Sequence, residues 1–427
     1  MARRWRWDQY EASACHGLGT AGGVCPAVLL PCKLSSLPWD AASAEQHECL
    51  VQSLRGFGFN GVITPPPPSW LRSLRQSYPE LHYVGVDRFE PNNKPVICKN
   101  LRTLRLRREV SRAHHSSSEL LLLDSQLRVL DREYISGGDC VLGRWRVNDA
   151  RLAPTNRTLW LNYLNAWGTS PPGAPCKGYW MARLHAYVAA RPSDGHAGAG
   201  SAAHAPAHLA SGRPGLHAVL HATQLAGGVG VDGTGGLHAE RNGGLVVSPS
   251  GDRIDFELAD VAPITKVHAA DGRQLFHPVP ASFGAAVHHN SINPLWVPEL
   301  RAYLGVSHRH YLDGTSSSTG RFDPSAPFQY GYAYRHVFFT IEPPLMKIVR
   351  HSREFCFPSL EALEGNISAD GSELCDGIQF MMGAFRQHPT SRTISFTYGV
   401  QDCETAILTL SIRRISKLLA FPLTSSA

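Results

Sequence analysis

Two short stretches, far apart in the chain, carry residue types whose spacing could do chemistry. The first, Tyr398-Gly399-Val400-Gln401-Asp402-Cys403-Glu404, places two carboxylates between runs of strand-like sequence. The second, Arg144-Trp-Arg-Val-Asn148-Asp149-Ala150-Arg151, sets an aspartate two positions before an arginine. Residues at i and i+2 share one face of a strand. There the guanidinium can orient the carboxylate, or bind a sugar hydroxyl or a phosphate. Carboxylates fixed by strand ends suit proton transfer to and from a polar substrate. Plainer readings stand beside these: a polar hairpin turn at Asp402–Glu404, and a buried Asp149–Arg151 pair.

Two more polar clusters accompany them. His288-His289-Asn290 leads through Trp296 and Glu299 to His308-Arg309-His310-Tyr311. No carboxylate or cysteine stands at ligand spacing from His308 and His310, so hydrogen bonding to a polar ligand is expected there rather than metal binding. In Tyr330-Gly-Tyr332-Ala-Tyr334-Arg335-His336, the tyrosines alternate along one strand face. His336 continues that face and Arg335 points to the other. Aromatic rings in this pattern either stack on the apolar face of a sugar or pack a core.

Several classes are excluded or disfavoured. There is no Gly-x-Ser-x-Gly nucleophile elbow and no Gly-x-x-x-x-Gly-Lys-Ser/Thr phosphate loop, which removes the main signatures of serine esterases and nucleotide hydrolases. The glycines between 227 and 244 lack the strand–turn–helix setting of a dinucleotide site. The ten cysteines form no Cys-x-x-Cys pair, so no structural zinc site is expected, and disulfides are compatible with the count without being established by it. A net charge of +6 is too mild and too dispersed to call for nucleic acid. Its densest part, residues 99–112, reads as a solvated basic face or a contact for an anionic partner. No apolar run is long enough to span a membrane. Asn156-Arg-Thr158 and Asn366-Ile-Ser368 are N-glycosylation acceptors if the chain enters the secretory pathway, although the basic N-terminus shows no clear signal peptide. No cofactor is expected.

The elements that must position these residues are strands. Hydrophobic residues make up 43% and charged residues 18% of 427, with 39 glycines and 30 prolines to supply turns, a balance that favours β architecture over a helical bundle. Ile394, Phe396, Tyr398 and Val400 alternate with polar or small residues, predicting a strand with one buried face. Further strands are expected at 82–88, 95–99, 119–124, 128–135, 158–165, 178–188, 244–248, 254–258, 301–309, 332–341, 346–349, 378–385 and 405–412. A short helix is expected at 44–54 and one or two helical turns at 69–77. Residues 1–80 are poorly patterned. The propeller-like domain is placed at 81–420, interrupted at about 192–244 by a Gly/Ala/His-rich stretch expected to be flexible. Many short strands with few helices predict a sandwich, barrel or propeller.

The Asp-x-Arg strand and the Tyr-Gly-x-x-Asp strand end together resemble the five-bladed β-propeller enzymes of glycan chemistry. Among these they are most similar to the β-mannoside phosphorylases and related propeller mannosyltransferases, with a resemblance also to uncharacterised algal and protist proteins. Asp149 and Arg151 match the family's Asp-Pro-Arg, with Ala150 in place of the usual proline; Tyr398, Gly399 and Asp402 match its second motif. The resemblance covers about residues 120–419 outside the insertion. It implies a five-bladed, all-β propeller whose central pocket transfers a glycosyl group to phosphate, water or another sugar, the partner being a glycan, a sugar phosphate or a nucleotide sugar. The implied catalytic carboxylates are Asp149 and Asp402, with Glu404 in reserve. Arg151, His308, Arg335 and His336 are the implied ligands of phosphate or hydroxyl groups, and Tyr334 and Tyr398 the implied stacking or hydroxyl-bonding groups. A non-catalytic carbohydrate-binding propeller and a protein-interaction propeller remain as alternatives.

Overall fold

The computed structural model describes residues 28–29, 32–35, 48–54, 57–89, 117–136, 148–165, 178–189, 215–222, 242–280, 283, 287–312, 332–357, 379–400, 404–419 and 421–422. The described chain is almost entirely β. One eight-stranded sheet runs in the order β4-β5-β6-β7-β11-β10-β9-β8. It consists of two antiparallel meanders. The first is β4 (Phe59–Thr64), β5 (Tyr83–Phe89), β6 (Ser117–Leu123) and β7 (Val129–Ser136). The second is β8 (Asn148–Pro154), β9 (Leu159–Asn165), β10 (Gly178–Ala189) and β11 (Gly215–Ala222). Their last strands meet in a short parallel pairing, Ala218 with Ile135 and Val219 with Ser136.

A third meander is β12 (Gly244–Val247), β13 (Ile254–Asp260), β14 (Ile264–Ala269) and β15 (Gln274–Pro278). The next sheet centres on β18 (Ala302–Leu312) and β19 (Tyr332–Glu342). On the β18 side lie β16 (His289–Asn290) and β17 (Leu295–Val297); on the β19 side lie β20 (Lys347–His351) and β21 (Phe355–Cys356). Short strands β1 (Val28–Leu29) and β25 (Phe421–Pro422) add to β21 and β20. The last sheet joins sequence-distant segments. β22 (Gln379–Phe385), β23 (Thr393–Val400) and β24 (Glu404–Ser411) form a meander, and β3 (Cys49–Ser53) pairs antiparallel with β24, followed by β2 (Lys33–Ser35). β3 and β4 therefore lie before residue 81, and both are built into sheets with strands from beyond it.

These strands are buried on both faces where a neighbouring sheet covers each side. Leu120 and Leu122 enter one apolar cluster with Val84, Val86 and Leu161, while Leu121 and Leu123 enter another with Tyr83, Phe385 and Ile407. Burying each such side chain is worth about 1.5–3 kcal/mol. An unbroken run of four leucines is what a doubly covered strand requires. β23 behaves likewise: all eight residues are buried, not only the alternate set that its periodicity predicts. Phe396 and Tyr398 pack on Phe338 and Phe357, while the opposite face is closed by β4.

One expectation changes. The helix expected at 44–54 is absent at its C-terminal half, where residues 49–53 are strand β3; pairing with β24 outweighs a weak local helical preference. Within the Gly/Ala/His-rich stretch lies β11, paired with β10 over eight residues, with Leu216 and Ala218 buried and His217 stacked on Tyr187. The strand expected at 95–99 lies outside the described residues. The turn expected at 69–77 is helix α1 (Pro68–Leu74), whose first-position proline needs no N–H partner and whose Trp70 and Leu74, one turn apart, face the core. Helix α2 (Ile412–Leu418) begins at Ser411, whose hydroxyl accepts from the Arg414 N–H at 3.1 Å.

Candidate functional site

The first strands of four meanders lie against one another, β4 touching both β22 and β8 and β8 touching β12, and β12 in turn touches β17. Near the start of three of these strands lies a short polar residue in left-handed backbone: Asn60 at φ 53° in β4, Asp149 at φ 48° in β8, and Asn242 at φ 61° two residues before β12. Asparagine and aspartate tolerate this region better than other non-glycine residues. In β4 and β8 the same residues sit at bulges, with the register slipping between Phe59 and Val62 and between Asn148 and Arg151. A bulge re-aims a side chain out of the regular alternation. Asp149 and Arg151 therefore do not form the same-face pair that their spacing predicts.

Asn60 and Asp149 meet instead. Asn60 Nδ2 donates to Asp149 Oδ1 at 3.2 Å, and the Arg88 guanidinium on β5 stands 3.7 Å from the same oxygen. Arg88 and Asp149 keep 18% and 26% of their side-chain surface exposed, so this carboxylate is held in place and still reachable. Two residues on, Arg151 is fully buried. It donates from Nε to the Ser291 carbonyl at 2.5 Å and from its second terminal nitrogen to Asn242 Oδ1 at 3.3 Å, and its guanidinium carbon lies 5.8 Å from the Phe380 ring centre. Arg151 thus ties β8 to the segments before β12, after β16 and within β22.

Asn60 has its own supports. The Gly61 N–H donates to Thr405 Oγ1 at 2.9 Å, and that hydroxyl donates to the Gly58 carbonyl at 2.8 Å. The Gly58 N–H donates to Asp87 Oδ2 at 2.5 Å. Gly399 lies directly against Asn60, and a Cβ there would overlap Asn60 Oδ1. The glycine of the Tyr-Gly-x-x-Asp stretch is therefore joined to the Asp149 stretch through Asn60. Asp87 is almost fully buried, and its carboxyl is pushed up to about 7, by burial first and next by the Glu119 carboxylate; the Gly58 N–H and Arg132 oppose the rise.

The remaining predicted residues are dispersed around this core. His308 is buried, with Nδ1 2.8 Å from Ser291 Oγ and its ring 4.9 Å from Phe380 and 5.5 Å from that of half-buried Tyr334. His308 thus shares both Ser291 and Phe380 with Arg151. His336 is fully buried between Phe355 and Phe357, and burial pushes its pKa down to about 3, which keeps the ring neutral. Tyr398 is fully buried, with its ring centre 4.6 Å from that of Phe357. Arg335 is half-buried and donates to the Tyr334 carbonyl at 3.3 Å. Glu404 opens β24 opposite Val400, and Asp402 lies outside the described residues.

Sequence reasoning missed Asn60, Arg88 and Asp87. Nothing local marks Asn60, which sits in an ordinary-looking Phe-Asn-Gly, and Asp87-Arg88 reads as the polar end of a strand. Among the described residues, no three His, Cys, Asp or Glu side chains gather as a metal-ligand set, and no helix is long and apolar enough to cross a membrane.

Neither a family model nor a curated protein sequence matches the chain. Solved structures do resemble it. A glycosyl hydrolase from Bacteroides ovatus is 13% identical, with 84% of each chain covered and a TM-score of 0.42. A mannose phosphorylase from Leishmania mexicana is 11% identical, with 90% of this chain and 95% of that one covered and a TM-score of 0.41. A β-1,2-mannobiose phosphorylase from Listeria innocua is 11% identical, with 71% and 69% covered and a TM-score of 0.38. At these values the likeness decides neither the arrangement of the sheets nor the chemistry, which rest on the chain's own residues.

Proposed function

We propose that the chain is a glycan-active enzyme, a five-bladed β-propeller in which Asp149 is the acid/base at the glycosidic oxygen. The observation that carries this reading is the presentation of Asp149. It is a partly exposed carboxylate at a bulge in left-handed backbone, anchored by Asn60 and Arg88, where first strands of several meanders meet. Unusual backbone maintained by such a surround is a mark of functional positions. The five blades would be β4–β7, β8–β11, β12–β15, the β16–β21 sheet, and β22–β24 closed by β3.

In the forward direction the protonated Asp149 carboxyl gives its proton to the glycosidic oxygen as the C1–O bond breaks, and an incoming oxygen nucleophile bonds C1 from the opposite face. Arg88, beside the carboxylate, offers a cationic donor to the substrate on the leaving-oxygen side. If the nucleophile is water, a second carboxylate must take its proton, and Asp402 or Glu404 is the candidate. A mannoside is the proposed substrate, with a sugar phosphate or nucleotide sugar as the alternative donor. Tyr334 and Arg335 are the half-buried candidates for sugar contact. Arg151, His308, His336 and Tyr398, being fully buried, are proposed to act by shaping the pocket wall.

The test is a screen of purified protein for phosphate release from sugar 1-phosphates and for cleavage of manno-oligosaccharides with and without phosphate. Asp149→Asn runs alongside, with calorimetric binding of the same sugars. Turnover that falls by two orders of magnitude or more in Asp149→Asn, with sugar binding retained, is the expected result. Binding without turnover in the wild type points to the non-catalytic carbohydrate-binding propeller. Undiminished turnover in the variant removes Asp149 from the chemistry.

A further inference from the structure

One sequence motif plays no part in the site around Asp149. Asn156-Arg157-Thr158 forms the tight connection between β8 and β9, with Asn156 and Arg157 exposed. The Thr155 N–H donates to the Thr158 carbonyl at 2.8 Å, the Thr158 N–H donates to Thr155 Oγ1 at 3.0 Å, and the Asn156 N–H donates to the Gly251 carbonyl at 2.6 Å, which docks the turn on the β12–β13 connection. Asn156 Nδ2 donates one hydrogen to the Ser250 carbonyl at 3.0 Å. An N-glycosylated asparagine keeps one amide hydrogen, so this bond is compatible with a sugar on the same nitrogen. Asp149 lies near the start of β8 and Asn156 beyond its end, on the order of 20 Å apart at about 3.3 Å per residue. A glycan there leaves the carboxylate clear.

An independent feature says where such a group would be added. Every cysteine among the described residues is oxidised: Cys32 is bonded to Cys49, and Cys356 is also disulfide-bonded. Disulfides form and persist in oxidising compartments, the same ones in which the Asn-x-Thr acceptor is read. We infer that Asn156 carries an N-linked glycan, added in the secretory lumen where the Cys32–Cys49 bond forms. In the transfer the asparagine amide nitrogen bonds C1 of a lipid-linked oligosaccharide, loses one proton and releases the lipid diphosphate. This inference is independent of the chemistry at Asp149.

The experiment expresses the full chain with its own N-terminus in eukaryotic cells and maps peptides from all of the chain, secreted or retained. Peptide N-glycosidase in heavy-oxygen water should convert Asn156 to labelled aspartate. Thr158→Ser should keep the modification. Thr158→Ala should lose it while leaving Asn156 and its Ser250 contact in place. Non-reducing digests should yield Cys32 and Cys49 as one linked peptide. Recovery of the wild-type Asn156 peptide unmodified, or of Cys32 and Cys49 as free thiols, overturns the inference. The readout is made on the wild-type chain, so a variant that folds poorly does not obscure it.

Discussion

Asp87 offers a measurement of how the Asn60 segment is held. Its carboxyl is buried, accepts from the Gly58 N–H and faces Glu119 across the β5–β6 pair, with Arg132 bonded to Glu119 at 2.9 Å. Its pKa is raised from 3.8 to about 7. An acid whose folded pKa lies above its unfolded one takes up protons on folding. Its contribution to stability is therefore largest below the unfolded pKa, and is lost as pH climbs from about 4 to about 7. At about 1.4 kcal/mol for each pH unit separating the two titrations, the loss is about 4 kcal/mol.

Asp87→Asn mimics the protonated acid at every pH, because its carbonyl still accepts from Gly58 and its amide can donate toward Glu119. The variant should match the wild type near pH 4 and exceed its stability by about 4 kcal/mol near pH 8. Denaturant unfolding at half-unit steps across that range supplies the data. Buried His288 and His336, lowered to about 4 and about 3 by burial, impose the opposite slope: they weaken the fold as pH falls below 6.5. That slope is common to both proteins and cancels in the difference. A difference that stays constant from pH 4 to 8 would refute the reasoning, since Asp87 would then titrate alike in the folded and unfolded chain.

Three other expectations concern the framework. Gly399→Ala should cost about 1–3 kcal/mol by overpacking against Asn60; adding Asn60→Gly, whose φ of 53° suits glycine, should recover much of the loss in a double-mutant cycle on denaturant midpoints. Arg151→Lys keeps the charge but cannot bond both Ser291 and Asn242 through one fork, and should lose about 2–3 kcal/mol in the same assay. Replacing Cys32 and Cys49 together by serine opens a link across a sequence separation of 17 and should lower stability by about 3 kcal/mol, read against the reduced wild type as a control.

The β architecture was legible in local pattern because strands announce themselves by apolar runs and by alternation. β5, β6, β7, β9, β10, β18, β19 and β22 to β24 all fall within a few residues of their expected places. What was not legible is instructive. β3 shows no strand pattern of its own, because its five residues gain their strand character from β24, some 350 positions away. β11 was hidden by the Gly/Ala/His composition around it, since small residues give little periodic signal even where Leu216 and Ala218 alternate inward. The spacing of Asp149 to Arg151 suggests a same-face pair, which the strand does not make. The bulge turns the aspartate toward Asn60 and Arg88, and leaves the arginine buried among Ser291, Asn242 and Phe380.

The sequence by itself determined that the chain is built of short strands, that Asp149 and the Tyr398–Gly399 stretch stand apart from ordinary strand composition, and that Asn156 lies in an acceptor motif. These are properties of neighbours in the chain, and residue type and period carry them. Only the tertiary structure decided that Gly399 makes room for Asn60, that Asn60 in turn holds Asp149, and that Arg151 is buried against Ser291 and Asn242. Each of those facts depends on two backbones brought within contact by sheet packing, and on left-handed residues at strand starts. Neither leaves a mark on residues adjacent in sequence.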